Sequence, residues 1–211
     1  MKKSVAKKAP RAGKVRNLEQ SRKEILDVAF VEVFHHGFQG VSVDDIVMKT
    51  SLTKGAFYHH FPTKLDLGYA LVDDVVKPTI IGRWITPLSQ YPNPLKGILE
   101  QTKQLLGGLD PSELKLGCPL NNLVQEMTPV DKGFQKRLQA TLTLWIAELE
   151  VHLKRGKKLG FVRKDVNTRE VAHFVVMTIE GMAGLLKGLD DPALFAVLFA
   201  SFKTYLQSLE A

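Results

Sequence analysis

Residues 50–67 read TSLTKGAFYHHFPTKLDL, and this segment decides the fold of the first third of the chain. On a helix that turns by about 100° per residue, Phe57 and Phe61 lie one turn apart and define an apolar face. Gly55 and His59 then point in the opposite direction, with Tyr58 on the flank. The segment therefore predicts a short helix that two phenylalanines hold to a core. Its outward face is rich in small and hydrogen-bonding residues.

Hydroxyl side chains mark the starts of the short helices in this region. Ser42 is followed three residues later by Asp45, which is the pattern of a capping box. Thr53 is expected to cap the helix quoted above. Thr63 with Asp66 repeats the capping pattern and starts a further helix after the Phe61-Pro62 break. The sequence therefore predicts two short helices joined by a tight turn, followed by a third.

A longer helix precedes them. Ile25, Ala29 and Val33 recur at i, i+4 and i+8, which predicts a helix over 18–36. Gly37 is expected to end it. A long helix followed by two short capped helices around a turn is typical of a helix-turn-helix unit.

The outward face of the quoted helix matches the needs of a helix that enters the DNA major groove. Such a helix has small residues first, so that its backbone can approach the bases, and hydrogen-bonding side chains next. Lys64 lies in a first helical turn, where its charge opposes the helix dipole unless it meets a phosphate. Taken singly, His59 and His60 are also compatible with exposed residues of no function, and Tyr58 with a half-buried aromatic. The combination favours nucleic-acid binding.

The charge distribution points the same way. Residues 1–64 contain 12 Lys/Arg and 6 Asp/Glu, whereas residues 65–211 contain 17 and 16, so the net charge of +7 is almost wholly N-terminal. Such an excess attracts polyanions. Residues 1–17 are strongly basic and are expected to form a disordered arm. Nucleic acid, an anionic membrane surface and a simple solubilising tail all remain compatible with charge alone.

The segment FHHGFQGVSVDDIVMKTSLTKGAFYHHFPTKLDL, residues 34–67, resembles the N-terminal DNA-binding domain of TetR/AcrR-family transcriptional regulators. The shared features are Gly37-Phe38, Val41-Ser42-Val43, Ile46, Lys54-Gly55, Phe57-Tyr58, His60-Phe61 and Lys64. The resemblance implies an all-helical homodimer with a C-terminal ligand-binding domain. It also implies a repressor that binds a palindromic operator and is released by a small-molecule or electrophile inducer. An activator or an architectural DNA-binding protein of the same fold, without ligand control, is the alternative.

The resemblance also implies which residues meet double-stranded DNA. Phosphate contacts are expected from Ser42, Tyr58 and Lys64, and phosphate or minor-groove contacts from Arg22 and the basic arm. The remaining DNA-surface residues are Thr53, Lys54, Gly55 and His59. Because base-reading positions vary within the family, the operator sequence does not follow from them. Phe34, Ile46, Phe57 and Phe61 are assigned to the core of the small domain.

The rest of the chain predicts an all-α fold, with the arm at 1–17, the helix-turn-helix domain at 18–64 and a larger helical ligand-binding and dimerisation domain at 65–211. The last two helices are rich in small and apolar residues, and in proteins of this kind the equivalent helices form the dimer interface. The interface residues expected here are Gly181, Gly184, Leu194, Leu198, Phe202 and Tyr205. Ordinary core packing is the alternative.

Cys118, the single cysteine, follows Gly117 and precedes Pro119 at an expected helix start. A thiol at such a position can have a lowered pKa and react with electrophiles. The segment resembles that of the N-ethylmaleimide reductase repressor subgroup, whose members are thought to sense electrophiles, although a buried thiol that only packs is the simpler reading. The ligand pocket is expected among the middle helices. Its candidate lining is Trp84, Tyr91, Cys118, Trp145, His173 and Met177.

No catalytic motif, phosphate-binding loop or zinc-spaced Cys/His set occurs in the sequence, so neither an enzyme nor a cofactor or metal is expected. The adjacent histidines of the pairs 35–36 and 59–60 point about 100° apart on a helix and suit no shared metal. A single cysteine fits a reducing compartment. With neither a secretory signal nor a run of 18 apolar residues, the protein is expected to be cytoplasmic, without a membrane partner.

Overall fold

The computed structural model describes residues 12–191 and 193–211 and divides the chain into two compact units, 1–68 and 69–211. The predicted boundary at 64/65 differs from this division because the helix that Thr63 caps belongs to both units: its first five residues lie in the first and the rest in the second. The described part of the chain is helical apart from turns and one isolated bridge between Val162 and Glu210. The all-α prediction is therefore confirmed.

The first unit contains α1 (Ala12–His36), α2 (Val43–Met48), α3 (Lys54–His60) and the start of α4 (Lys64–Leu71). Each predicted cap is present. The Ser42 hydroxyl accepts from the backbone N–H of Asp45 at 3.1 Å, and the Asp45 carboxylate accepts from the N–H of Ser42 at 2.8 Å. Thr63 and Asp66 make the same reciprocal pair at 3.1 and 3.0 Å. Gly37 follows α1 with a φ of 76°, which a glycine adopts without steric cost.

One N-terminal prediction needs correction. The helix predicted to start at Leu18 begins at Ala12, so residues 12–17, which the sequence placed in a disordered arm, have a helical backbone. Their charges do not prevent this, because lysine and arginine are good helix formers. Residues 1–11 of the predicted arm lie outside the described residues.

Apolar side chains from three helices make the core of the first unit. Ile25 and Ala29 of α1 meet Ile46 of α2 and Phe57 of α3, and all four are at most 1% exposed. Phe61 closes the core from the end of α3. Phe34, which was assigned to this core, is instead half-buried and stacks on Phe30 with ring centroids 5.7 Å apart.

The second unit begins within a long irregular helix. After α4 come a π-helical turn (Val72–Val76), α5 (Lys77–Ile80), a second π-helical turn (Ile81–Ile85) and a 3₁₀ turn (Thr86–Gln90). These departures from a regular α-helix lie around Pro78 and Pro87, because each proline lacks the backbone N–H that a helical hydrogen bond needs. The remaining helices are α6 (Pro94–Gly107), α7 (Pro111–Leu114), α8 (Pro119–Met127), α9 (Lys132–Lys158), α10 (Thr168–Leu189) and α11 (Leu194–Gln207).

The two longest C-terminal helices, α9 and α10, form the centre of the second unit. Trp145 and Leu149 of α9 and Val175 and Ile179 of α10 are buried. By length and composition α10 could cross a membrane, but core helices of soluble proteins have the same character, and nine residues along one side of α10, from Thr168 to Leu186, are buried within the unit. Before α11, the Asp191 carboxylate accepts the N–H of Ala193 at 2.9 Å, and the helix starts at Leu194.

Candidate functional site

The outward face of α3 is formed as the sequence predicts. Gly55 and His59 are exposed, and Tyr58 is 44% exposed while its ring edge contacts Phe57. The nearest atom to a Cβ built on Gly55 would be the Thr53 hydroxyl, at 3.8 Å. Packing within the protein therefore does not require a glycine here. Its smallness makes sense if an outside molecule approaches the backbone.

The opposite face of α3 is fixed firmly. Phe57 is 0% and Phe61 3% exposed, and their ring centroids are 5.9 Å apart. At the first turn the Thr53 hydroxyl accepts the N–H of Ala56 at 3.2 Å. Thr53 is thus used for capping, and so is Ser42 at the start of α2. Both capping residues are exposed, so the starts of α2 and α3 lie on the surface of the unit.

Two acidic residues of α1 hold the turn between α2 and α3. Glu24 accepts hydrogen bonds from the backbone N–H of Ser51 at 2.6 Å and from its hydroxyl at 2.8 Å. Glu32, whose side chain is only 10% exposed, pairs with Lys49 at 2.7 Å. The charge of Glu32 is balanced by Lys49, and Glu24 fixes the turn by accepting from the uncharged donors of Ser51. Sequence reasoning missed both, since the partners lie 27 and 17 residues apart.

The predicted cationic contacts have partners inside the unit. Lys54 pairs with Asp44 of α2 at 2.7 Å, and this pairing raises the pKa of Lys54. The Lys64 ammonium lies over the Phe38 ring, 4.7 Å from its centroid. Arg22 lies over Phe61 at 5.4 Å. These contacts hold the three cationic groups around α3. To contact a phosphate, each group either keeps its present partner or exchanges that partner for the phosphate.

His60 has a role that its neighbour His59 lacks. Its Nε2 is 2.9 Å from the Ser21 hydroxyl of α1. Burial, followed by the nearby His59 and Arg22, lowers the pKa of His60. A neutral imidazole that links α3 to α1 is therefore part of the support, whereas His59 is free to face outward. The angle of about 100° between adjacent residues on a helix is the sequence signal for this difference.

The second unit contains a cavity of about 70 Å³. Its wall includes Trp84 from the second π-helical turn, Cys118 before α8 and Glu180 on α10. The other lining residues are Thr79, Ile80, Arg83, Leu105, Leu106, Leu109, Gly117, Pro119, Ile179 and Ala183. The wall is therefore mainly apolar with a few polar groups, which is the usual composition of a small-molecule site.

The polar centre of this wall is the pair of Cys118 and Glu180. The Cys118 thiol donates to Glu180 Oε1 at 3.2 Å, while Glu180 Oε2 is buried and has no hydrogen-bond partner among the described residues. Burial raises the pKa of Glu180 to about 7. Burial, reinforced by the Glu180 carboxylate, also raises the pKa of Cys118. This supports the simpler of the two readings, a buried thiol, over a reactive thiol of lowered pKa, because Cys118 is held in its protonated, weakly nucleophilic form.

Four of the six predicted pocket residues lie elsewhere. His173 and Met177 are exposed on α10, with Met177 61% exposed. Trp145 is fully buried behind Trp84, with ring centroids 5.4 Å apart. Tyr91 packs where a side chain on Gly97 would clash, and its carbonyl accepts from Arg155 at 2.7 Å. Helical periodicity identified these as apolar or aromatic positions but did not show which face the cavity occupies.

An apolar face runs along α10 and α11. Met177 and Leu185 of α10 and Val197 of α11 are 61%, 47% and 64% exposed. Gly181 and Gly184 are also exposed, and a Cβ built on either would have no described atom within 4 Å. These glycines therefore do not serve a close helix contact inside the chain.

The other predicted interface residues line or border this face. Leu198 and Tyr205 border a groove with Gly181, and the Tyr205 ring lies 4.2 Å from that of Phe174. Leu194 is half-buried. Phe202 is 2% exposed and belongs to the core of the protomer.

Among the side chains described, no three His, Cys, Asp or Glu residues are grouped so that they could hold a metal ion.

Comparison with known proteins covers both units. Residues 25–71 match the family model described as bacterial regulatory proteins, tetR family, and residues 94–202 match the tetracyclin repressor-like C-terminal domain. A transcriptional regulator of the HTH type in the lacX 3′ region of Lactococcus lactis subsp. lactis is 26% identical over 195 residues, covering 92% of this chain and 97% of its own. The HTH-type transcriptional repressor DhaR of Mycobacterium sp. (strain GP1) is 21% identical, with coverage of 76% and 79%.

Solved structures show the same fold. A TetR-family transcriptional regulator from Cytophaga hutchinsonii superposes with a TM-score of 0.83 at 20% identity, covering 92% of this chain and 97% of its own. The relatives are DNA-binding transcriptional regulators, typically repressors, and not enzymes. Because the C-terminal model alone spans just over half of the 211 residues and the DNA-binding model spans α2 and α3, this chain belongs to the TetR family of bacterial transcriptional regulators.

Proposed function

We propose that this protein is a cytoplasmic repressor that binds a palindromic operator as a homodimer and releases it when a small molecule occupies the second unit. The observation that carries the DNA-binding part is the α3 face. Gly55, Tyr58 and His59 are exposed on a helix whose other side is anchored by Phe57 and Phe61. A rigid helix with a small residue at its start suits insertion into a major groove.

Each predicted DNA residue has a role in this proposal. His59 reads base edges, and Gly55 permits close approach of the backbone. Tyr58, Lys64 and Arg22 contact phosphates. The caps Ser42 and Thr53 direct the starts of α2 and α3 toward phosphates, and Lys54 exchanges Asp44 for a phosphate.

The homodimer is supported by the apolar face of α10 and α11. Met177, Leu185 and Val197 are exposed together with two glycines that have free space above them. Exposed apolar area of this kind is unfavourable in water and is commonly covered by another chain. A two-fold symmetric partner covers the same face on both copies, and such a dimer reads a palindrome.

The operator is found by selecting bound DNA from a random pool, and variants then test the assignments. In the plot of log affinity against log salt concentration, Lys64→Ala is expected to reduce the magnitude of the slope by about 0.9, because one phosphate contact is lost. His59→Ala is expected to change sequence preference. Lys203→Ala, at an exposed position on α11, is the matched charge control. An unchanged salt slope for Lys64→Ala would refute the phosphate assignment.

Sedimentation equilibrium tests the dimer. Val197→Asp, which places a charge on the apolar face, is expected to yield monomers at micromolar concentration and to reduce operator affinity. Val151→Asp on α9 is the control, because Val151 is comparably exposed, at 58% against 64%, but lies outside the face. Wild-type protein that sediments as a monomer would contradict the dimer. A selected DNA pool without a palindrome or sequence preference would favour the architectural alternative.

A further inference from the structure

The cavity between Trp84 and α10 contains a buried carboxyl that lacks a counter-charge. Glu180 Oε1 accepts only the weak S–H donor of Cys118, and Oε2 is buried without a described partner. Burying a carboxylate in this way is unfavourable unless a cation or strong donors accompany it. The protein keeps the carboxyl on the wall of an otherwise apolar cavity.

The neighbouring polar groups do not supply what Glu180 lacks. The Thr79 hydroxyl donates to the carbonyl of Val75 at 2.7 Å. Lys187, two turns further along α10, donates to Asn122 at 3.1 Å. Arg83 is on the cavity wall, but its side chain is exposed to solvent. Among the described residues, none of these groups bonds to Glu180 Oε2, which leaves this oxygen available to a donor on a bound molecule.

The remaining wall residues indicate the size and polarity of the rest of such a molecule. Ile80, Leu106, Ile179 and the ring of Trp84 surround the space, and the cavity measures about 70 Å³. Such a wall accepts a compact hydrocarbon body and offers an aromatic face that also attracts a cation. Since the carboxyl is the single acidic group on the wall among the described residues, it sets the orientation.

We propose that this cavity binds a small primary amine whose ammonium group pairs with Glu180 and whose apolar body packs against Trp84. The Cys118 thiol acts in this site as a hydrogen-bond donor that holds the carboxyl in position, and it does not act as a nucleophile. The proposal rests on the ligand-controlled function proposed above and names the chemical class of the inducer.

Intrinsic fluorescence gives a direct test on DNA-free protein, because Trp84 lines the cavity, Trp145 lies behind it, and these are the chain's two tryptophans. The probe is ethylamine, which is small enough for the cavity, and ethanol is its neutral, nearly isosteric control. Wild-type protein is expected to bind the amine about tenfold or more tightly than the alcohol, because an ion pair replaces a neutral hydrogen bond.

Glu180→Gln keeps the shape of the side chain and removes its charge. This variant is expected to lose about tenfold or more of the amine affinity and to bind the alcohol within about threefold of wild type. Glu100→Gln, at an exposed position on α6, controls for the loss of one negative charge. Retained operator binding by Glu180→Gln shows that the variant is folded.

The proposal is overturned by amine binding that Glu180→Gln leaves unchanged, or by wild-type protein that binds the amine no better than the alcohol. Absence of amine binding overturns it as well. Operator release is measured separately. If the amine binds in a Glu180-dependent way but the operator is not released, the proposed ligand class still holds. The proposed function is then wrong in assigning operator release to this amine.

Discussion

Replacing Glu180 by glutamine is expected to stabilise the protein in a pH-dependent way. Burial raises the pKa of this carboxyl from its ordinary 4.5 to about 7. Below pH 4.5 the group is protonated in both the folded and the unfolded protein. Between these values the folded protein binds a proton that the unfolded chain has lost, so the free energy of unfolding falls as the pH rises. Above pH 7 the full cost of the buried charge is present.

The size of this cost follows from the two pKa values. At about 1.4 kcal/mol per pKa unit, the difference between 4.5 and about 7 corresponds to about 3 kcal/mol. Glutamine carries no charge at any of these pH values, so Glu180→Gln should gain up to about 3 kcal/mol relative to wild type at pH 8 and little at pH 4.5. The gain is reduced to the extent that the Cys118 thiol, its hydrogen-bond partner, suits a carboxylate better than an amide.

Urea unfolding at a fixed protein concentration, followed by far-UV circular dichroism at several pH values, measures the difference. The wild-type and variant curves should converge toward acidic pH and separate through neutrality. Glu100→Gln should follow the wild type, because Glu100 is exposed. A difference between wild type and Glu180→Gln that stays constant from pH 4.5 to pH 8 would refute the reasoning, since burial would then not penalise the charged form.

Three further substitutions test the supports of the two units. Phe57→Ala removes a fully buried ring beneath α3 and should cost about 3–5 kcal/mol in the free energy of unfolding, together with operator binding. Lys49→Ala leaves the nearly buried carboxylate of Glu32 without its partner and should cost about 1–3 kcal/mol by the same urea assay. Gly133→Val in α9 would overlap the Tyr69 phenol, whose hydroxyl donates to Asp131 at 2.9 Å, and should lower stability by about 1–3 kcal/mol.

Matched changes distinguish these effects from a general loss of stability. Met48→Ala removes an apolar side chain that is 76% exposed on α2, and should leave both stability and operator affinity close to wild type. Lys23→Ala breaks an exposed pair with Asp27 and should cost at most about 1 kcal/mol. If Lys49→Ala cost no more than Lys23→Ala, the Glu32 pair would not support the turn. A Gly82→Val variant, with open space at its Cβ and outside the proposed dimer face, is the matched counterpart of Gly133→Val.

Local sequence patterns predicted the short helices of the first unit and their caps. The caps at Ser42, Thr53 and Thr63 act on residues three positions away, so their geometry follows from the chain itself once a helix forms. The 3.6-residue period likewise placed Phe57 inward and Gly55 outward. The start of α1 was predicted too late, because charge density in an arm does not prevent helix formation in residues that favour it.

Only the tertiary structure decided the arrangement of the second unit. Cys118 and Glu180 are 62 residues apart, and their contact depends on how α10 packs beside the segment before α8. In this contact, burial and the neighbouring carboxylate raise the pKa of the thiol and outweigh the lowering effect of the helix start. In the same way, periodicity marked Trp145, His173 and Met177 as candidates, but helix packing placed one in the core and two on the surface. The sequence by itself determined the helices and the outward face of α3, whose interactions are local. The cavity and its unpaired carboxyl arose from contacts between distant segments, which no local pattern encodes.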